Sequence, residues 1–205
     1  MAHLCSTGKY LSTTILIVTC AILGACSHSG SAAPTAGNAG SSNAVMTAAP
    51  AAASLVPYAG ADAIVSGNPA TMTATVHLIA GQGSIAKGFN FNGYANGDMH
   101  VRVPTGWKVN VSLTVAGKIP HSAIIVPFSE RTKGFAFQAA FPGSTVADYR
   151  MGIMSGDPPK TFSFTATTAG KYAIVCGVPG HDGLGMWDEF DVVNGLRQPD
   201  VLVKK

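Results

Sequence analysis

CGVPGHDGLGMW, residues 176–187, sets a thiol at Cys176, an imidazole at His181 and a thioether at Met186, each five residues from the next. Glycines at 177, 180, 183 and 185 allow a tight wrap with positive φ, while Pro179 stiffens it and removes one backbone donor. A thiolate, a neutral imidazole and a weak thioether form a soft donor set that suits copper, whereas magnesium or calcium would call for oxygen. The rival chemistry is a Cys–His hydrolase with Cys176 as nucleophile, but it leaves Met186 and a second histidine without a role.

The fate of the other cysteines decides how Cys176 is read. The chain opens MAHLCSTGKYLSTTILIVTCAILGAC, a polar lead with Lys9 followed by an apolar run from Leu11 to Leu23, which reads as an export signal over residues 1–25. The run is shorter than the roughly 20 apolar residues of a spanning helix and carries Ser12, Thr13, Thr14 and Thr19, so an uncleaved anchor is the weaker reading. Leu23-Gly24-Ala25-Cys26 resembles a lipobox, which makes Cys26 the expected lipidation site; the alternative is ordinary cleavage and a soluble exported protein. Residues 26–55, rich in Ala, Gly, Ser and Pro, read as a flexible tether, and residues 56–205 as the folded domain. The expected location is extracytoplasmic, in a periplasm or at a cell surface, held to the membrane by the lipid. With Cys5 and Cys20 removed and Cys26 blocked, Cys176 has no internal disulfide partner. A lone exported thiol needs a reason such as deep burial, catalysis or a metal.

The elements that must position these groups are strands. In WKVNVSLTV, residues 107–115, Val109, Val111, Leu113 and Val115 alternate with polar residues, the period of a half-buried strand. TMTATVHLIA, MHVRVP, HSAIIV, TFSFTAT, KYAIVC and EFDVV are likewise short, β-branched or aromatic, and bounded by turn residues. No long segment has helical period, so the expected fold is an all-β, two-sheet sandwich. Cys176 ends one strand, His181 and Met186 lie on the following loop, and MWDEFDVV returns as the last strand. Arg131 to Asp157, with FPGS and SGDPP inside, reads as a long excursion. The formal charge of +3, only 11% charged residues and the lack of a basic block argue against a nucleic-acid partner.

The set is one imidazole short. His77 in ATVHLIA and His100 in DMHVRV sit within strand-like runs, where a core or face histidine is the ordinary outcome. His121 follows Pro120 at the end of a turn and precedes SAIIV, so it lies at a strand end within reach of a loop. Met151 and Met154 are rival thioethers without the loop spacing, read as packing residues.

A histidine at a strand start, followed far downstream by Cys-x4-His-x4-Met, resembles the type 1 copper site of the cupredoxins. CGVPGH is similar to azurin and rusticyanin, the spacing to Met186 matches rusticyanin and sulfocyanin, and GFNFNGYANGDMHVRVPTGW is most like the sulfocyanins, with FPGS and TATTAGKYAIVC adding to the likeness. The resemblance spans roughly residues 72–193 and implies a Greek-key sandwich holding one type 1 copper per chain. It implies His121, Cys176 and His181 as the trigonal ligands and Met186 as the long axial one. Many cupredoxins carry Asn after the first histidine; Ser122 here resembles rusticyanin instead, and a different hydrogen bond near Cys176 is the expected consequence.

The chain has no paired His-x-His motif for further copper ligands and no second cysteine on the loop for a binuclear centre. Asp182, the nearest carboxylate for an open catalytic site, is expected to face solvent. These features point to an electron carrier rather than an enzyme, a monomer passing single electrons between respiratory partners such as cytochromes or terminal oxidase components. His181 is the expected exchange ligand, within an apolar rim of Val178, Pro179 and Leu184. The alternatives are a copper delivery or storage module, and a sandwich of the same fold that binds no copper.

Overall fold

The computed structural model describes residues 53–205. The expected signal segment 1–25, Cys26 and the tether as far as residue 52 lie outside the described residues. Ten strands account for most of the order: β1 (Leu55–Pro57), β2 (Val65–Asn68), β3 (Thr73–Ala80), β4 (Met99–Pro104), β5 (Lys108–Val115), β6 (Ile124–Pro127), β7 (Lys160–Thr165), β8 (Gly170–Val175), β9 (Trp187–Val193) and β10 (Asp200–Lys204). Among the described residues helix is confined to the single turn Ala61–Ile64 and to 3-10 turns at Ile85–Gly88 and Phe128–Glu130.

The strands form two mixed sheets, ordered β1-β10-β4-β9-β8-β6 and β2-β3-β5-β7. From β3 to β8 the chain passes from one sheet to the other at each connection, which is how β4 comes to lie parallel to β9 and β3 parallel to β5. The expected all-β sandwich is therefore present. Its core follows the two-residue period of the strands. Ala74, Val76 and Leu78 of β3, Val109, Val111 and Leu113 of β5, Met99, Val101 and Val103 of β4, and Phe190 and Val192 of β9 are buried between the sheets.

Three strands escaped the sequence pattern. LVP, VSGN and DVLVK are too short for clear alternation, and β1 begins at Leu55, the last residue of the segment read as tether. HSAIIV is also corrected at its start, since β6 begins at Ile124 and His121 makes only an isolated bridge with Ile153.

The excursion 131–157 contains no named strand, and it has a structural role that its sequence did not announce. On the outer face of β6 and β8, Ile124, Val126, Ala173 and Val175 form a second apolar cluster with Phe137, packed by Ala139 and Tyr149. This explains why both strands read as nearly continuous apolar runs. The excursion covers a face that would otherwise meet water.

Candidate metal centre

Register brings the donors together. Ile124 of β6 pairs with Val175 of β8, so the approach to β6 and the exit from β8 lie at the same edge of the sheet. His121 stands at that approach and Cys176 is the first residue beyond β8. Along β8, Ile174 and Cys176 face the inner core while Ala173 and Val175 face the excursion, so alternation aims the thiol between the sheets.

The loop after β8 is folded by its own backbone. The Cys176 amide donates to the Met186 carbonyl at 3.1 Å, and the Met186 amide donates to the His181 carbonyl at 3.0 Å. Gly185 at φ +92° turns the chain where a Cβ would collide with the Asn96 side chain. Cys176 Sγ lies 3.4 Å from His181 Nδ1 and 3.9 Å from His121 Nδ1, and the two imidazoles stand edge to face with centroids 5.3 Å apart. Cys176, His121 and Met186 are wholly buried, while His181 is half-buried. Two Nδ1 atoms and one Sγ thus lie together, with Met186 wholly buried on the same loop.

His121 is held from three sides. Its backbone exchanges two hydrogen bonds with Ile153, 3.0 and 2.8 Å long. Gly152, at φ +70°, lies so close that a Cβ there would sit 2.8–3.0 Å from the His121 backbone. Behind the ring, Gly81 and Gly117 lie so close that a Cβ there would sit 3.0 and 3.3 Å from Nε2. The sequence reading assigned no role to these glycines, because the close approach joins segments far apart in the chain.

Ser122 answers the question raised by its place after His121. Its backbone amide donates to Cys176 Sγ at 3.4 Å, and its Oγ accepts the Gly177 amide at 2.8 Å. The hydroxyl therefore ties the segment before β6 to the ligand loop; it also lies 3.9 Å from Cys176 Sγ, so the amide and the hydroxyl of Ser122 both face the sulfur.

Phe-Asn-Phe-Asn-Gly also gains a physical role. Phe91 is core, and Phe89 sets its edge against His181 at 4.9 Å and His121 at 6.5 Å. Asn90 is fully buried; its Oδ1 accepts from the Gln82 and Gly93 amides and its Nδ2 donates to the Ile85 carbonyl. Asn92, at φ +53°, accepts from the Ile79 amide and donates to the His77 carbonyl. The two asparagines clamp the loop that carries Phe89.

Burial sets the electrostatics. The Cys176 thiol is pushed up to about 11, because an isolated thiolate there would be poorly solvated. His121 is lowered to about 4 by burial and then by His181, and His181 is itself lowered by burial, opposed by Asp182. Both imidazoles are held neutral, the state in which a ring nitrogen can ligate a metal. A soft sulfur donor and two neutral nitrogens fit copper, and the enclosed thioether adds a fourth soft atom.

Three expectations about the surroundings are corrected. Asp182 is buried rather than solvent-facing: its Oδ2 accepts the Gly134 amide at 2.6 Å, so it anchors the excursion to the ligand loop. Val178 is buried and does not belong to the rim, whereas Pro179 and Leu184 are exposed. Met151 and Met154 are 75% and 42% exposed, so they are surface residues and not packing residues. His77 is exposed on β3, and His100 is buried on β4 beside two carboxylates, away from the Cys176 cluster.

Residues 62–203 match the family described as the Sulfocyanin (SoxE) domain. A relative, the sulfocyanin of Sulfolobus acidocaldarius, is 25% identical over 137 residues, 64% of this chain and 69% of that protein. Similar solved structures include a rusticyanin, 25% identical over 63% of this chain and 88% of that chain with a TM-score of 0.40. Another is dithionite-reduced auracyanin from Roseiflexus castenholzii, 22% identical over 58% of this chain and 96% of that chain, also with a TM-score of 0.40.

Proposed function

Because this chain belongs to the sulfocyanin domain family, we propose that His121, Cys176, His181 and Met186 hold one type 1 copper and that the protein carries single electrons. The observation that supports this most is the convergence of His121 Nδ1 and His181 Nδ1 on the buried Cys176 Sγ, at 3.9 and 3.4 Å. Copper in such a set supplies a one-electron Cu(II)/Cu(I) couple. The chain supplies the rest. Its imidazoles are neutral before the metal arrives, its thiol gives up a proton on binding, and its backbone-tied loop keeps the donors in place so that little rearrangement accompanies a change of charge.

The sulfur is wholly buried in the core cluster that also holds Met186, with Phe89 packed against that cluster. His181 is the donor nearest solvent, and Leu184 and Pro179 stand exposed on the same loop. The bond between Gly180 and Gly134 brings Phe135, 68% exposed, to this surface. An apolar rim around one partly exposed ligand suits brief encounters with redox proteins, which bury little area. In the same reading the carrier works outside the cytoplasm in a respiratory chain, held at the membrane through lipidated Cys26. Burial of the donors disfavours delivery, which requires a metal that leaves easily.

The test is titration of the full chain with Cu(II) while its visible absorption is recorded. One equivalent should develop an intense thiolate-to-copper band, and Cys176→Ala should lack it. An absent band in the wild type, or an undiminished one in the variant, overturns the site.

A further inference from the structure

A second donor cluster lies outside the Cys176 site. On the outer face of the six-stranded sheet, β4 and β9 run parallel with His100 opposite Glu189 and Arg102 opposite Asp191. His100 Nδ1 lies 3.4 Å from Glu189 Oε2 and 3.5 Å from Asp191 Oδ2, and the three donor atoms all lie within 4.8 Å of one another. The His100 side chain is 6% exposed, that of Glu189 10% and that of Asp191 15%.

These distances are those of a long ion pair and also match shared ligation. A charge-assisted N–H···O bond closes to about 2.7–2.9 Å, and here neither carboxylate has closed on the ring. Donors about 2.0–2.2 Å from a tetrahedral cation stand about 3.3–3.6 Å from each other, which brackets both observed separations. The remaining polar atoms are short of partners as well: His100 Nε2 and Asp191 Oδ1 are buried without a hydrogen bond. A buried imidazole aimed between two carboxylates, with unmet bonding capacity on both sides, is under-satisfied by the protein alone.

Charge points the same way. Among the described residues Lys171, with Nζ 2.9 Å from Glu189 Oε2, is the lysine or arginine in direct contact with the cluster, and its side chain is 64% exposed, free to swing aside. Arg102 donates through Nε and Nη2 to both oxygens of Asp200, so its fork is already engaged. Two carboxylates against one mobile ammonium leave an excess of negative charge next to a nitrogen donor.

We propose that His100, Glu189 and Asp191 form a binding site for a first-row divalent cation, with zinc the fitting probe for one nitrogen and two oxygens. The cation would clip β4 to β9 across their parallel register. The proposal does not rest on the copper reading, since none of its residues belongs to the Cys176 cluster.

The experiment loads the full chain with copper, equilibrates it with excess Zn2+, removes free metal and counts both metals per chain. Wild type should hold about one zinc beyond its copper, with colour unchanged, and Glu189→Gln and Asp191→Asn should each weaken zinc binding by roughly tenfold or more while keeping copper and colour. Asp191, the most exposed of the three, gives the variant least prone to disturb folding, and circular dichroism checks that it is folded. No zinc in the wild type, zinc taken up only as copper is lost, or folded variants that bind zinc as tightly as wild type would each overturn the site.

Discussion

Proton bookkeeping at the Cys176 cluster follows from burial. The thiol, raised to about 11, is protonated at neutral pH, whereas His121, lowered to about 4, and His181, also lowered, are already neutral. At neutral pH copper must displace the thiol proton and no other, so uptake should release about one proton per Cu(II). As pH falls the affinity should drop about tenfold per unit, and the slope should steepen as His181 and His121, the latter near pH 4, take up protons. A pH-indicator titration checks this; release of two or more protons at neutral pH would mean that the imidazoles are charged in the apo-protein. At this scale the sequence was highly legible along the ligand loop, where Cys176, His181 and Met186 are close in the chain. It was poorly legible for the side chains between them. Asp182 was read as exposed because its neighbour His181 reaches the surface, yet the loop turns it inward to the Gly134 amide. No local pattern encodes that partner, 48 residues away.

Strands position the donors, and connections lock them. Alternation in β3, β4, β5 and β9 was legible because each has a clear two-residue period, whereas β8 reads as a nearly continuous apolar run and the inward aim of Cys176 comes from which face each residue packs against. β1, β2 and β10 were not legible, for they are short strands whose pairing comes from neighbours and not from their own pattern. The connection carrying Phe-Asn-Phe-Asn-Gly showed itself as a motif but not as a mechanism, because Asn90 acts through backbone groups at Gln82, Ile85 and Gly93. Asn90→Ala would strip all three of their partner in a buried position and should cost about 1–3 kcal/mol, read as a lower denaturant midpoint. It should also loosen Phe89 from His181 and speed copper loss. An unchanged midpoint and unchanged copper retention would show that the clamp does not support the site.

Across the whole molecule, one sandwich serves two purposes. Its core fixes the sheet edge where His121 and Cys176 meet, and the excursion 131–157 both covers the outer face of β6 and β8 and supplies Ile153, Gly152 and Gly134 to the ligand and its loop. The excursion is thus part of the centre's scaffold, which explains how a half-exposed ligand can sit above a buried sulfur without the loop opening. Enclosure of this kind suits a resident metal that changes charge in place rather than one handed on. The most direct test of that claim is repeated reduction and reoxidation of the copper-loaded full chain by one-electron reagents, with a copper chelator present throughout. The expected result is a visible band that bleaches and returns completely over successive cycles while copper stays with the protein; copper found in the chelator after the first reduction, with no recovery of the band, would contradict the account.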